Sequence, residues 1–195
     1  MNTIKTIIKK TFNSIKPFIM LLSSFYFDKK YLQGRYFGES NVGYIWAIRS
    51  IFQKNILRLG RPMPWPTGLT CSISDARNIT FHPDDLNNFQ SPGLYVQNFK
   101  AHIYLGQGTY LGPNVGIITA NHKIDNLAEH EDGLDVNIGM HCWIGMNSVI
   151  LPGVILGNRT IVAAGSIVTK SFPEGNVIIG GTPARVLKNL PSKLD

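Results

Sequence analysis

Residues 136–170 read VNIGMHCWIGMNSVILPGVILGNRTIVAAGSIVTK, and within them Ile138, Ile144, Ile150, Leu156, Val162 and Val168 recur every sixth residue without a gap. The residues that follow them are Gly139, Gly145, Leu151, Gly157, Ala163 and Thr169, mostly small. A period of six matches neither the helical repeat of about 3.6 residues nor the two-residue alternation of a long strand. It fits a coil of three short flat strands stacked on the next coil at roughly 4.8 Å. The aliphatic residue of each hexad points into the prism, and the small residue after it lets the chain turn the corner. One hexad cannot bury its apolar residue alone, but stacked coils give a continuous Ile/Val/Leu core.

Upstream, a second run in another frame reads Leu105-Gly106, Leu111-Gly112 and Ile117-Ile118, with a fainter trace at Ile73 and Ile79. Two stretches break the period. Residues 80–93 contain His82, Pro83, Asp84, Asp85 and Pro92. The longer stretch, residues 119–137, contains Asn121, His122 and His130 with Asp125, Glu129, Glu131, Asp132 and Asp135. Such loops extend from a corner of a repeat and usually carry its function. The expected architecture is mainly β: a parallel β-helix over residues 69–190 with a protruding loop at 119–137 and a C-terminal tail over 171–195. An N-terminal segment, residues 1–68, precedes it and is basic, aromatic and partly helical.

The 195 residues carry a formal charge of +7, unevenly placed. Residues 1–61 hold 11 Lys and Arg against Asp28 and Glu39, a net of +9, and the remainder nets −2. A basic segment rich in Ile, Phe and Tyr suits an anionic membrane surface or a polyanionic substrate. No recognised motif supports nucleic acid. Cys71 and Cys142 form no C-x-x-C pair and read as two reduced thiols of a cytoplasmic protein.

Near the start, Ile4, Ile7, Ile8, Phe12, Ile15, Ile19 and Leu22 follow helical spacing, with Lys5, Lys9, Lys10 and Lys16 mostly on the other side. The apolar run Pro17–Phe27 is shorter than the roughly 20 residues a spanning helix needs, and no A-x-A-like cleavage site follows it. Two readings stay open: a helix packed on the domain or a partner subunit, or a helix lying on the inner face of the cytoplasmic membrane.

The stretch from Asn98 to Leu190 resembles the hexapeptide-repeat acyltransferases, near the maltose and galactoside acetyltransferases. The words that carry the resemblance are Leu111-Gly112-Pro113-Asn114-Val115, Thr119-Ala120-Asn121-His122, Trp143-Ile144-Gly145, Ile150-Leu151-Pro152-Gly153-Val154, Gly165-Ser166-Ile167-Val168-Thr169-Lys170 and Gly180-Gly181-Thr182-Pro183-Ala184-Arg185. The resemblance implies a left-handed β-helix, a homotrimer with sites in clefts between prisms, acetyl-CoA as cosubstrate and no required metal. It implies His122 as general base and Asn98 near an acceptor sugar. It also implies coenzyme A contacts at Ala164, Thr169, Lys170, Arg185 and Lys188, the three cations meeting nucleotide phosphates. Met146 stands where the family has a Ser that contacts coenzyme A. Lys stands where the nearest pattern has a second Arg, which keeps the charge and loses the bidentate fork.

An imidazole titrates near neutral pH, so it can take a sugar hydroxyl's proton and hand it to the departing thiolate. Asp125, three residues on, is a candidate to orient the ring or to bind the acceptor, and Gly145 is a candidate coenzyme A contact. His130 reads as solvated, and His141 as structural or interfacial. Trp143 is expected to point outward, either packing against a subunit or touching the pantetheine arm. The backbone N–H of Gly139 or Gly145 is a candidate oxyanion donor.

Three histidines at a subunit interface would suit a γ-class carbonic anhydrase, but the H-x4-H pair is missing. The N-terminal third, with Tyr26, Phe27, Tyr31, Tyr36, Phe37, Tyr44 and Trp46, looks more like acetyltransferases of bacterial surface-polysaccharide pathways. The acceptor expected is therefore a capsule or O-antigen sugar hydroxyl. N-acetylation of a nucleotide amino-sugar, and an inactive scaffold docking on membrane or polymer, remain the alternatives.

Overall fold

The computed structural model describes residues 2–191, with side chains described from Thr11 onward. The expected faces of Ile4, Ile7, Ile8, Lys5, Lys9 and Lys10 therefore lie outside the described side chains, and residues 192–195 of the tail outside the described residues. The chain divides into two compact units, Met1–Leu69 and Thr70–Asp195.

The first unit is helical. Helix α1 spans Asn2–Ser23 and contains Pro17, and α2 spans Val42–Ser50 and runs on as a π-helical turn, Ile51–Ile56. Phe27, Tyr31, Phe37, Tyr44 and Trp65 are buried together with Ala47, Ile51 and Met63. The Tyr31 and Trp65 rings meet at 5.1 Å, Phe37 and Tyr44 at 5.2 Å, and Tyr36 and Trp46 at 4.6 Å. The aromatic residues of this segment are thus mostly its own core. Each ring removes a large apolar area from water by packing on its neighbours.

The second unit is a parallel β-helix of three sheets. The first sheet stacks β1 (Ser72–Ile73), β3 (Tyr95–Gln97), β6 (Gly116–Ile118), β9 (Val149–Ile150) and β12 (Ile167–Val168). The second stacks β2 (Ile79–Thr80), β4 (Ile103–Leu105), β7 (Val136–Ile138) and β10 (Ile155–Leu156). The third stacks β5 (Tyr110–Leu111), β8 (Trp143–Ile144), β11 (Thr160–Val162) and β13 (Val177–Gly181), and β14 (Ala184–Asn189) folds back antiparallel on β13.

Register explains the hexads. Asn137 lies beside Ile155, Trp143 beside Ile161 and Val149 beside Ile167, a step of 18 residues each time. Each coil therefore returns an aliphatic residue to the same place. One column runs Ile73, Val96, Ile117, Ile150, Val168; another runs Leu111, Ile144, Val162, Ile179, and all are buried. Full burial of each contributes roughly 1.5–3 kcal/mol. Gly116 pairs with Val149, a step of 33. The long loop thus adds 15 residues to one coil, and because 15 is not a multiple of six the hexad frame shifts across it.

Residues 80–93 do not protrude. Pro83–Gln90 forms 3-10 turns that bury Leu86 and Phe89 completely. The Asn88 carboxamide accepts from Leu111 N at 2.9 Å and donates to Thr109 O at 2.8 Å, bonds a neighbouring strand would make. This segment closes the third side of the first coil.

Candidate active site

Thr119 and Ala120 leave β6 at the edge between the first and second sheets. The Gln97 carboxamide clamps them there, accepting from Thr119 N (3.2 Å) and Ala120 N (3.1 Å) and donating to Ala120 O (3.0 Å). Beyond this clamp the loop folds on itself: Glu131 N donates to Asn121 O and Lys123 N to Glu129 O, with a bridge between His122 and His130. The Lys123–Glu129 ion pair (2.6 Å) and the Asn126–Glu129 hydrogen bond (3.0 Å) tie its tip. Asp135 fastens its return by accepting from His102 N at 2.7 Å.

His122 is exposed at the start of this hairpin. Its Nδ1 lies 2.7 Å from the carbonyl oxygen of Leu127. A carbonyl only accepts, so Nδ1 carries a hydrogen, and in the neutral ring the lone pair is then on Nε2. That is the tautomer a general base needs, and the carbonyl fixes the ring's orientation.

Four expectations are corrected here. Asp125 does not orient the ring, because the Leu127 carbonyl holds Nδ1 and Asp125 is exposed. His130 is not simply solvated: its ring lies 4.1 Å from that of His122 and meets Phe99 edge-on at 4.8 Å. Asn98 is fully buried, accepting from Asp75 N at 2.9 Å and donating to Asp75 O at 2.7 Å and Asn78 O at 3.0 Å. Its carboxamide is committed to the coil corner and is out of reach of solvent. The N–H groups of Gly139 and Gly145 donate to Leu156 O and Val162 O at 2.8 Å, so neither serves an oxyanion.

A second feature lies on a different edge, between the third and first sheets. A cleft of about 360 Å³ is lined by Gly112, Trp143, Gly145, Met146, Ala163 and Ala164 among others. Coil stacking dictates its small floor: a Cβ on Gly145 would lie 2.6 Å from Ala164 N, and one on Gly112 2.7 Å from Met146 N. Trp143 points outward, 57% exposed, as the alternation of β8 requires. Arg185 pairs with Gly180, next to Ala163, and Lys188 pairs with Ile178 in the outward row Trp143–Ile161–Ile178. Thr169 and Lys170 are exposed after β12, on the edge that carries His122 and two coils further along. Lys170 Nζ lies 5.6 Å from the Phe172 ring centroid. A larger cleft, about 510 Å³, opens at the third edge by His141, Arg159 and Ile161, and none of the expected coenzyme A or acceptor residues lines it.

Within one chain, therefore, the expected residues form two groups. His122, Thr169 and Lys170 share one edge; Trp143, Gly145, Ala164, Arg185 and Lys188 share the cleft edge and its sheet. Sequence reading missed Gln97, Phe99 and the Leu127 carbonyl. Gln97 and Phe99 flank Asn98, and that adjacency was the available signal. A backbone carbonyl leaves none. Among the described residues, no three His, Cys, Asp or Glu side chains converge as a metal site.

Residues 135–170 match the family described as bacterial transferase hexapeptide (six repeats). The chain is 33% identical over 91 residues to the galactoside O-acetyltransferase of Escherichia coli K12, covering 45% of this chain and 44% of that protein. It is 47% identical over 129 residues to an E. coli protein provisionally named lipopolysaccharide biosynthesis O-acetyl transferase WbbJ, covering 57% and 61%. A maltose O-acetyltransferase structure from Clostridium difficile 630 aligns at 37% identity and a TM-score of 0.46, covering 50% of this chain and 53% of that one. The chain spans about half the length of the relatives it matches. The stacked hexads and small-residue corners make the second unit a hexapeptide-repeat, left-handed parallel β-helix, and over about half its length the chain is similar to these acetyltransferases.

Proposed function

We propose that this protein transfers acetyl from acetyl-CoA to a sugar hydroxyl, with His122 as general base. The observation that carries the reading is the His122 Nδ1–Leu127 O hydrogen bond, which puts the neutral ring's lone pair on Nε2 at an exposed residue. Nε2 takes the proton of the acceptor hydroxyl as that oxygen attacks the thioester carbonyl. The tetrahedral adduct expels the thiolate as the C–S bond breaks, and the imidazolium returns the proton to sulfur. The products are an O-acetyl ester and free coenzyme A. No covalent enzyme intermediate forms.

Trp143 and the glycine-floored cleft suit the pantetheine arm, and Lys170, Arg185 and Lys188 supply charge for the nucleotide phosphates. Because His122 and the cleft lie on different edges of one prism, the complete site needs a second copy. A homotrimer, in which each chain turns its cleft edge to its neighbour's His122 edge, meets that need at all three contacts. The names of the relatives, galactoside O-acetyltransferase and lipopolysaccharide biosynthesis O-acetyl transferase, support a sugar hydroxyl and a place in bacterial surface-polysaccharide assembly.

The test is release of coenzyme A thiol from acetyl-CoA against a panel of sugars, nucleotide sugars and lipid-linked oligosaccharides, with His122→Ala as control. A base-labile ester, formed by wild type and not by the variant, is expected. Turnover indifferent to the substitution overturns the mechanism, and a base-stable amide moves the reading to N-acetylation.

A further inference from the structure

Helix α2 and its π-helical extension are inside out for a helix that faces water. Their buried side carries Gly43, Tyr44, Ala47, Ser50, Ile51 and Lys54. Their exposed side carries Val42, Ile45, Ile48, Phe52, Ile56 and Leu59, each between 39% and 60% exposed. The spacing of three and four residues keeps these six on one stripe, and the π turn holds Ile48, Phe52 and Ile56 in line at four. Helix α1 repeats the pattern, burying Ile19 and Ser23 and exposing Ile15, Phe18, Leu22 and, just past its end, Phe25 at 77%. An apolar stripe this long is expected against a core, not against solvent.

Charge selects what covers it. Lys29, Lys30, Arg49, Arg58 and Arg61 are exposed in the same unit, against Asp28 and Glu39 as its acidic residues. Apposing two copies of this face would bring together segments that each carry a net +9 over residues 1–61. An anionic lipid surface instead accepts the apolar stripe among its acyl chains and neutralises the cations at its headgroups. No described helix is long and apolar enough to cross a membrane. We infer that the α2 stripe, Val42 to Leu59, is a bilayer-docking face that seats the protein on an anionic membrane. This stands apart from the acetyl-transfer reading, since none of its residues belongs to the β-helical unit.

The experiment is flotation of the full-length protein with vesicles of phosphatidylcholine containing phosphatidylglycerol, and with phosphatidylcholine alone. Wild type is expected to float with the anionic vesicles about tenfold more than with the neutral ones, and to be released by high salt. Ile45→Ser with Phe52→Ser is expected to reduce flotation about tenfold while circular dichroism and oligomeric mass stay unchanged. Cys71 and Cys142 are buried, so an environment-sensitive fluorophore on Phe52→Cys reports from that position alone. Its emission is expected to shift blue with anionic vesicles. Unchanged flotation of the double-serine variant together with an unshifted fluorophore overturns the proposal. So does a fall in oligomeric mass with flotation unaffected, which makes the stripe a contact between copies.

Discussion

The imidazoles of His122 and His130 lie 4.1 Å apart between centroids and 36° from parallel, where the two strands of the loop hairpin bridge. Phe99 meets the far histidine edge-on at 4.8 Å, so the exposed His122 ring rests on a small aromatic cluster. On the proposed mechanism His130 would position the His122 ring. His130→Ala is expected to lower kcat about tenfold with little change in KM for acetyl-CoA, and His130→Phe to recover most of the loss by restoring the flat support. Equal loss in both variants would tie His130 to chemistry instead.

His122→Ala is expected to lower kcat by about 10²–10⁴-fold, the range for removing a general base. Because the side chain is exposed, the melting temperature should stay within a degree or two of wild type. Steady-state kinetics and a thermal scan read the two effects separately.

Asn98→Ala separates a corner residue from an acceptor ligand. The substitution strands the Asp75 N–H and two carbonyls at a buried corner, at a cost of about 1–3 kcal/mol. Denaturant unfolding should show that loss. Acceptor KM of the folded variant should not change.

Gly145→Ala puts a methyl 2.6 Å from Ala164 N and 2.7 Å from Val162 O, both backbone atoms of the next coil. About 1–3 kcal/mol of destabilisation is expected from forcing the coils apart. The cleft floor deforms with them, so protection by coenzyme A in a thermal scan should fall as well.

Burial raises the Cys142 thiol above its ordinary range, with Sγ 3.3 Å from the Gly157 carbonyl. The sign follows directly: at pH 8 the thiolate is scarcer than in an exposed cysteine. Cys71 is buried too. Ellman's reagent should find no fast-reacting thiol in the folded protein at pH 8 and two after denaturation.

The coil was readable because burial and register act through the same residues. Ile138 to Val168 had to recur at six, since each hexad spans one face of the prism and every third one places its aliphatic residue on the one below. The change of frame between Ile117 and Ile138 marked where the loop lies. Residues 83–90 were not readable, because Asn88 replaces a strand's bonds with a side chain, which leaves no periodic trace. His122 was found through its neighbours in sequence. Its tautomer and its support depend on Leu127 O, His130 and Phe99, contacts across a hairpin that no spacing rule describes. The aromatics of the first unit were visible, but composition does not say which ring faces inward.

The 18-residue step also makes the prism a graduated scale. Ile138 and Leu156 occupy equivalent positions one coil apart, so excising residues 139–156 would splice one coil cleanly onto the next and leave every remaining inward column in phase. What changes is height. The His122 rung would stand one coil, roughly 4.8 Å, nearer the rung of Thr169 and Lys170. The tier that supplies Trp143 and Gly145 would be gone. Evolution can thus shorten or lengthen such a protein in whole coils without unfolding it, and each edit re-sets how long a ligand can be gripped between its two ends.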